Sequence, residues 1–511
     1  MKGADVTEKV QVKVIARDLA ALPQHRPWQP GDPVRPVNPR QHHGRQERVA
    51  RIPKPAARAD GLIGFQMRMA AVRVVPSLQA PLLNFDGQGF SGVNPPDTVG
   101  DVGVNHYIQA INDSGGTLYS IYNKSDGSLA AGPFSLGDLG GPAGRGDPIV
   151  LFDHLAQRWL LSEFAASGNL LSIYISRSAD PVAGGWFSYE FATPHFPDYP
   201  KYGVWPDAYY VTTNEEDGPA VYALERAEML EGRSAGMQRF LATQLDGFGF
   251  QALTPCDVDG PAPPAGAPHL LLRHRDDEVH NLGANDPTQD FLDLYELKID
   301  WSDPANSSLT GPVGIPLSDF DSDLCGLVSF NCFPQMGSTI RLDPLREVIM
   351  WRLQYRNFDS HETLVGSFVT DVDGADHGGV RWFELRKDDT THWHIHQEGT
   401  FAPDSHHRWM SSIAMNGDGN IALAYSLASS TAFPGLRYTG RLATDPMGTL
   451  PQGEQVLFEG TAANGSFRFG DYAALSVDPE NGRTFWFTGQ KNEATTWSTR
   501  IGAFEFLATV P

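Results

Sequence analysis

A strand, an Asp- or Asn-bearing turn and a second strand recur along this chain. That recurrence constrains the fold more than any single motif does. The clearest copy is LSVDPENGRTFWFTG, around Asp478. An apolar strand runs into a dense turn signal, and a β-branched and aromatic strand follows. The same template fits DVGVNHYIQAIN from Asp101, VLFDHLAQRWLLSEF around Asp153 and GVWPDAYYVTTN around Asp207. It fits CDVDGPAPPAGAPHLLLRH around Asp259, IRLDPLREVIMWRLQY around Asp343 and IAMNGDGNIALAYS around Asn416. The Asp259 copy is the weakest, with a Pro-rich insertion in its turn.

The marks are 52, 54, 52, 84, 73 and 62 residues apart. Each interval holds one four-stranded sheet, with longer loops in the later units. Outer pairs are expected in LLSIYISRS with GWFSYEFAT, and in ETLVGSFVTDV with GVRWFELRK. TRIGAFEF closes the last unit. The best helix candidate is AVYALERAEMLEG, residues 220–232. Repeated all-β units with few helices predict a seven-bladed β-propeller of four-stranded antiparallel blades. Aromatic residues would fill the wedge between neighbouring blades. Each turn Asp has a plain structural role available, capping its turn through side chain to backbone bonds. Two β-sandwich domains are the competing architecture. They would need a linker near the middle, and 302–333 is the candidate.

Bulk composition narrows the function classes. The 511 residues carry 39 Lys and Arg against 61 Asp and Glu. Residues 1–75 hold 14 basic and 6 acidic residues, so the remainder is strongly acidic. Nucleic acid is disfavoured as a partner, because phosphate contacts need Lys and Arg. No apolar run approaches the ~20 residues of a membrane-spanning helix. Acidity could serve solubility or bound calcium. Residues 1–75 are rich in Pro, Arg and His and read as a disordered basic arm. The arm could bind an acidic surface, including that of its own body. The propeller is assigned to 76–511, with 61–78 as the start of order. The first residues lack a continuous apolar stretch, so no signal peptide is expected. Of the three cysteines, Cys325 and Cys332 could close a small loop, and Cys256 is left over.

Propellers place ligands where the innermost strands begin. Polar residues gather just upstream of those strands: Asp97, Asp101, Asp147, Tyr199, Lys201, Tyr202, Gln335, His406, His407, Arg408, Arg468, Asp471 and Tyr472. A carbohydrate or other charged polymer could bind there through Asp97, Lys201, Tyr202, Gln335, Arg408 and Arg468. Asp97, Asp147 and Asp471 could hold calcium, which takes six to eight oxygen ligands. If the face is catalytic, Asp471, Tyr472, Asp147 and His407 are the candidates for a polysaccharide hydrolase or lyase. The bland reading is that these groups pair and seal the channel. His361 and Glu362, near Arg356, form a second acid–base candidate. His392, His394 and His396 alternate as metal ligands on one strand face would.

VNPPDTVGDVGVNHYIQAIN, GDPIVLFDHLAQRWLLSEFA, FPDYPKYGVWPDAYYVTTN, HHRWMSSIAMNGDGNIALAYS and RFGDYAALSVDPENGRTFWFTGQ together resemble a family of large bacterial propellers, the BNR or sialidase-like proteins. The resemblance spans about residues 80–506. It implies a propeller and a secreted or cell-surface setting, and it implies no particular chemistry. It does not imply a sialidase: the Asp-box behind that name is a structural turn, and here it is loose. The last turn, ENGRTFW, also lacks a cysteine common in that family. The expected function is a propeller that binds carbohydrate or another surface polymer at its channel mouth. A hydrolase or lyase on the same face and a protein-interaction scaffold are the alternatives. Carboxylates about 5–10 Å apart across the mouth would favour hydrolysis. A Tyr with a His or Arg in an open groove would favour a lyase, and a closed mouth with every charge paired would favour the scaffold.

Overall fold

The alternating apolar runs become antiparallel strands, and consecutive strands pair as hairpins. The computed structural model describes residues 5–6, 9–15, 19–36, 59–70, 77–245, 252–280, 286, 288–326 and 331–507. Val99–Val102, His106–Asp113, Gly116–Asn123 and Leu129–Ser135 form one four-stranded sheet in sequence order. Sheets over 144–192, 198–241, 254–318, 353–401 and 407–458 repeat the pattern. The 254–318 and 353–401 sheets are continuous, because Thr254–Val258 and Leu353–Asn357 pair in parallel. Ala474–Val477, Phe485–Asn492 and Trp497–Phe504 take their fourth strand from Leu83–Gly89, far upstream in sequence. The fold is all-β and propeller-like, and the two ends of the repeat region are joined through that sheet.

The first strand of each sheet lies against the first strand of the next, and Ala474–Val477 lies against Val99–Val102, so these strands close a ring. Polar side chains stitch the ring. Asp101 Oδ2 accepts from the Phe152 amide at 2.7 Å, Asp257 Oδ1 from Val204 at 2.8 Å, and Ser412 Oγ from Leu475 at 3.0 Å. Each bond satisfies a buried amide at a sheet boundary. Aromatic rings fill the wedges between sheets. Tyr107 stacks on Trp486 with centroids 5.4 Å apart, and Tyr438 on Phe504 at 3.9 Å. Such pairs contribute about 0.5–1.5 kcal/mol beyond burial.

Several turn acids bridge sheets as well as capping their own turns. Asp153 receives both Arg226 Nε at 2.7 Å and Arg226 Nη2 at 3.0 Å, and also the Tyr209 hydroxyl at 2.8 Å. Asp478 pairs with Lys124 of the 99–135 sheet at 3.0 Å.

Three expectations about elements are corrected. Asp343 is not an inner turn. It caps a local loop, accepting from the Leu345 amide at 2.9 Å, and the following Val348–Trp351 run is buried without a ladder. The inner turn of that unit is 358–361, between Leu353–Asn357 and Glu362–Asp371. Consequently 362–371 and 378–387 are its second and third strands, and His394–Phe401 is outermost. Within 220–232 only Arg226–Leu230 is helical. Gly218–Leu224 is a strand because it has ladder partners on both sides, which override a short ambiguous pattern. In place of a mid-chain linker, Ser308–Ser318 is the fourth strand of its sheet.

Parts of residues 1–75 lie on the sheets. Asp5–Val6 pairs with Met237–Leu241, and Lys13–Ile15 with Trp186–Ala192. Lys9 meets Glu225 at 3.0 Å and Lys13 meets Glu190, basic arm against acidic body. Gly61–Ala70 is a helix, and Asp60 just before it pairs with buried Arg381 at 2.9 Å. Residues 37–58 lie outside the described residues. Cys325 and Cys332 are disulfide-bonded, and Cys256 is free and buried.

Candidate functional site: a buried polar cluster where the first strands begin

Asp97, Asp147 and Tyr199 each occupy the left-handed backbone region, with φ of 44°, 53° and 53°. Each sits at the start of a first strand in successive sheets. Register shifts between Gly146 and Ile149, and between Asp198 and Lys201, accompany two of them. Bulges of this kind re-aim side chains, and here they turn them toward one cluster. Asp tolerates this region better than Tyr, whose conformation the packing must hold. Gly146 is needed beside them: a Cβ there would lie 2.3 Å from Asn112 Oδ1.

Four sheets contribute to the cluster. Asn112 Nδ2 donates to Asp97 Oδ2 at 2.5 Å, and Asn112 Oδ1 accepts from the Asp147 amide at 2.8 Å. The Tyr472 hydroxyl donates to Asp147 Oδ2 at 3.0 Å. Arg468 Nε donates to Asp471 Oδ2 at 2.7 Å, and Arg468 Nη2 stands 4.0 Å from Asp97 Oδ1. Lys201 Nζ lies over the rings of Tyr472 and Tyr199, 3.5 and 3.8 Å from their centroids. It donates to the Pro200 carbonyl at 3.1 Å. Among the described residues no carboxylate lies within 4.0 Å of it.

Burial governs the electrostatics, since no member is more than 9 % exposed. Desolvation, then the neighbouring Asp147 charge, raises the Asp97 carboxyl well above its usual range. Desolvation brings Lys201 down to about 7, against the pull of Asp147 and Asp97. The Tyr472 phenol is pushed well up by burial and then by Asp147. The cluster thus combines a lysine brought toward neutrality with a carboxyl whose ionised form burial disfavours.

Asp97, Asp147, Lys201, Arg468, Asp471 and Tyr472 therefore come together, with Tyr199. The other sequence-derived residues stand elsewhere. Tyr202 is buried in the apolar core, its hydroxyl near Ser162. Gln335 braces the cluster from behind. It bonds both backbone groups of Asn464, whose side-chain amide donates to the Arg468 carbonyl at 2.7 Å. Arg408 is held by Asp404 and Glu454 at 2.9 Å each. His407 packs on Phe333 and His377, and burial lowers it to about 4. His406 bonds Ser429 Oγ at 2.8 Å. Asn112 was not legible as a site residue, because only the fold brings its strand end between Asp97 and Asp147.

His361 and Glu362 do not act together. His361 stacks on Phe358, whereas Glu362 accepts from Tyr355 at 2.7 Å and pairs with Lys387 at 3.1 Å. A bulge at His396 breaks the His392–His394–His396 alternation. Among the described residues these histidines do not form a ligand group.

A second polar set plugs the ring axis toward the turns. Arg352 Nε donates to Asp257 Oδ2 at 2.5 Å, and Arg352 Nη2 meets Asp259 Oδ1 at 3.1 Å. Asp101 interacts with the same guanidinium across the ring. Burial raises Asp257 to about 7 even so, while Arg352 and Arg356 outweigh burial to hold Asp259 low.

For a metal, Asp97, Asp147 and Asp471 do not form a group with mutually close oxygens, and Arg468 and Lys201 supply the positive charge among them. Asp276, Glu278 and Asp290 do form such a group, within 4.8 Å, and could hold a metal ion. Desolvation, with added repulsion from neighbouring acids, raises all three carboxyls. Sequence reasoning missed this group, since Asp290 lies on a strand well beyond Asp276 and Glu278 and meets them only through the sheet.

No family model matches the chain, and no curated protein matches it. Among solved structures it is similar to an ulvan lyase, a polysaccharide lyase, at 13% identity over 83% of this chain and 95% of that one, with a TM-score of 0.43. It is similar to the BP39L lectin of Burkholderia pseudomallei at 11% identity, over 83% of this chain and 100% of that one, with a TM-score of 0.40. It is similar to the extracellular domains of Drosophila Semaphorin 1b at 9% identity, over 84% and 87%, with a TM-score of 0.38. These are weak matches to propeller folds. No helix among the described residues is long and apolar enough to cross a membrane.

Proposed function

We propose that the chain is a seven-bladed β-propeller that binds a carbohydrate or other surface polymer at the mouth of its central channel. The observation that carries the reading is Lys201. Its side chain is 1 % exposed, lies between two tyrosine rings and makes no ion pair among the described residues. A structural seal pairs its charges, as Arg352 does, whereas this lysine stays available beside Asp147, Tyr472 and Arg468. The mouth is closed around it, so a ligand would first meet Asp147 and Arg468, which are the cluster's most exposed members at 9 % and 7 %.

The same lysine favours a second reading, a polysaccharide hydrolase or lyase. A lysine near pKa 7 suits proton abstraction at neutral pH. In a lyase it would take the proton beside a uronate carboxylate, and Tyr472 would return one to the leaving oxygen. The Cys325–Cys332 bond supports a secreted or cell-surface setting. The strings quoted above support a place among the BNR or sialidase-like bacterial propellers. Calcium is proposed for the Asp276, Glu278 and Asp290 group.

A thermal-shift screen against neutral and acidic glycans tests the proposal. A ligand at 100 times its Kd adds about 2.7 kcal/mol, and Lys201→Met with Asp147→Asn should abolish the shift. A flat response to every glycan, with and without calcium, would sink the reading in favour of a protein-binding scaffold.

A further inference from the structure

A cavity of about 340 Å³ opens among the turns, at the far end of the strands from the Lys201 cluster. Its size falls in the roughly 300–1,000 Å³ range of small-molecule sites. One wall is the turn 416–420, between His407–Met415 and Ile421–Ser429. Arg483, in the turn before Phe485–Asn492, forms another, and 505–507 a third. Main-chain bonds fix these walls. The Gly417 amide donates to the Gly482 carbonyl at 2.7 Å, the Leu507 amide to the Ser77 carbonyl at 2.7 Å, and the Gln79 amide to the Glu505 carbonyl at 3.1 Å. A site held in this way loses little freedom when a ligand enters.

The polar groups of the cavity are within reach of a ligand and only partly used. Asp418 and Arg483 pair at 3.2 Å, so their charges balance. Glu505 is half-buried, lines the cavity, and has neither an ion pair nor a side-chain hydrogen bond among the described residues. One negative charge is therefore left over, on a chain whose acidic body already attracts cations. Asn420, also half-buried, spends Oδ1 on the Ala443 amide at 2.9 Å, which orients the side chain and leaves Nδ2 to donate. Thr444 adds an exposed hydroxyl, and Leu442 and Leu507 add apolar surface.

We propose that this cavity binds an amino sugar. The ammonium would donate to Glu505 in a charge-assisted bond. Ring hydroxyls would accept from Asn420 Nδ2 and bond Thr444, and the C–H face would lie on Leu442 and Leu507. A neutral sugar leaves Glu505 without a counter-charge, and a plain amine leaves Asn420 and Thr444 unmatched. The site shares no residue with the channel mouth and does not depend on that reading.

Saturation-transfer NMR titrations of the full chain at pH 6 with glucosamine, glucose and cyclohexylamine test the proposal. Glucose keeps the hydroxyls without the charge, and cyclohexylamine keeps the charge and ring without the hydroxyls. Glucosamine should bind at least fivefold more tightly than either, in the wild type and equally in Lys201→Met/Asp147→Asn, whose mouth is disabled. Glu505→Gln should erase the preference over glucose, and Asn420→Ala should erase the preference over cyclohexylamine. The melting temperature of each variant reports folding. Absence of glucosamine binding overturns the proposal, as does equal binding of either analogue. Binding that neither Glu505→Gln nor Asn420→Ala weakens, or that is lost in the mouth variant, places the sugar elsewhere and equally overturns it.

Discussion

Two buried polar sets sit on the ring axis, and they handle positive charge differently. Toward the turns, Arg352 reaches two carboxylates and interacts with a third. Where the first strands begin, Arg468 is likewise spent on Asp471, but Lys201 rests on tyrosine rings and a carbonyl. A planar guanidinium satisfies several acids at once, which makes a seal. A compact ammonium without an ion pair loses its proton more readily when buried. One set is a structural plug; the other holds a group able to change protonation in the physiological range.

Breaking the plug should have the strongest consequence. Arg352→Met strands Asp257 and Asp259, and should cost about 3–5 kcal/mol, read as a large fall in melting temperature or loss of soluble protein. Arg352→Met combined with Asp257→Asn should recover part of it. Lys201→Met should act in the opposite direction. In the folded chain Lys201 loses its proton near 7, but in the unfolded chain near 10.5. The unfolded state therefore binds the extra proton between those values, and stability rises with pH across that window. The variant should be more stable than the wild type below pH 7, with the gain fading toward pH 10.5. Equal melting curves for variant and wild type at both pH 6 and pH 10 would remove Lys201 from consideration as a titrating group.

Asp276, Glu278 and Asp290 concentrate like charge instead of balancing it. All three carboxyls are raised, so the folded protein holds protons that the unfolded chain releases. Stability should fall as pH climbs through the carboxylate range toward neutrality and beyond. Calcium should offset that fall and raise the melting temperature at pH 8, with reversal by EDTA. Asp290→Asn should abolish the calcium response. Charge pairs at the rim should matter least. Lys124 is partly exposed where it meets Asp478 and Glu480, and Lys124→Ala should cost about 0.2–1 kcal/mol by denaturant titration.

Much of the candidate site was legible in the sequence, for a local reason. Asp97, Asp147, Lys201, Asp471 and Tyr472 each lie just upstream of a first strand or at its start, and repetition places such positions on one face. His407 and Arg408 occupy the same relative position, yet local packing takes them away: Phe333 and His377 hold the imidazole, and Asp404 and Glu454 hold the guanidinium. Asn112 carried no signal at all, since it matters through Asp97 and Asp147, 15 and 35 residues away.

An all-β chain of repeated hairpins follows from the residues alone. Alternation of period two and turn residues act over a few positions, and nothing distant is needed to read them. Asp343 misleads because Asp followed by Pro marks a turn without saying whether a ladder flanks it. Three outcomes belong to the folded molecule and not to any local stretch. Leu83–Gly89 completes the last sheet, Arg352 plugs the axis, and Lys201 lies between Tyr199 and Tyr472. They depend on desolvation and on contacts across tens to hundreds of residues, which no local pattern encodes.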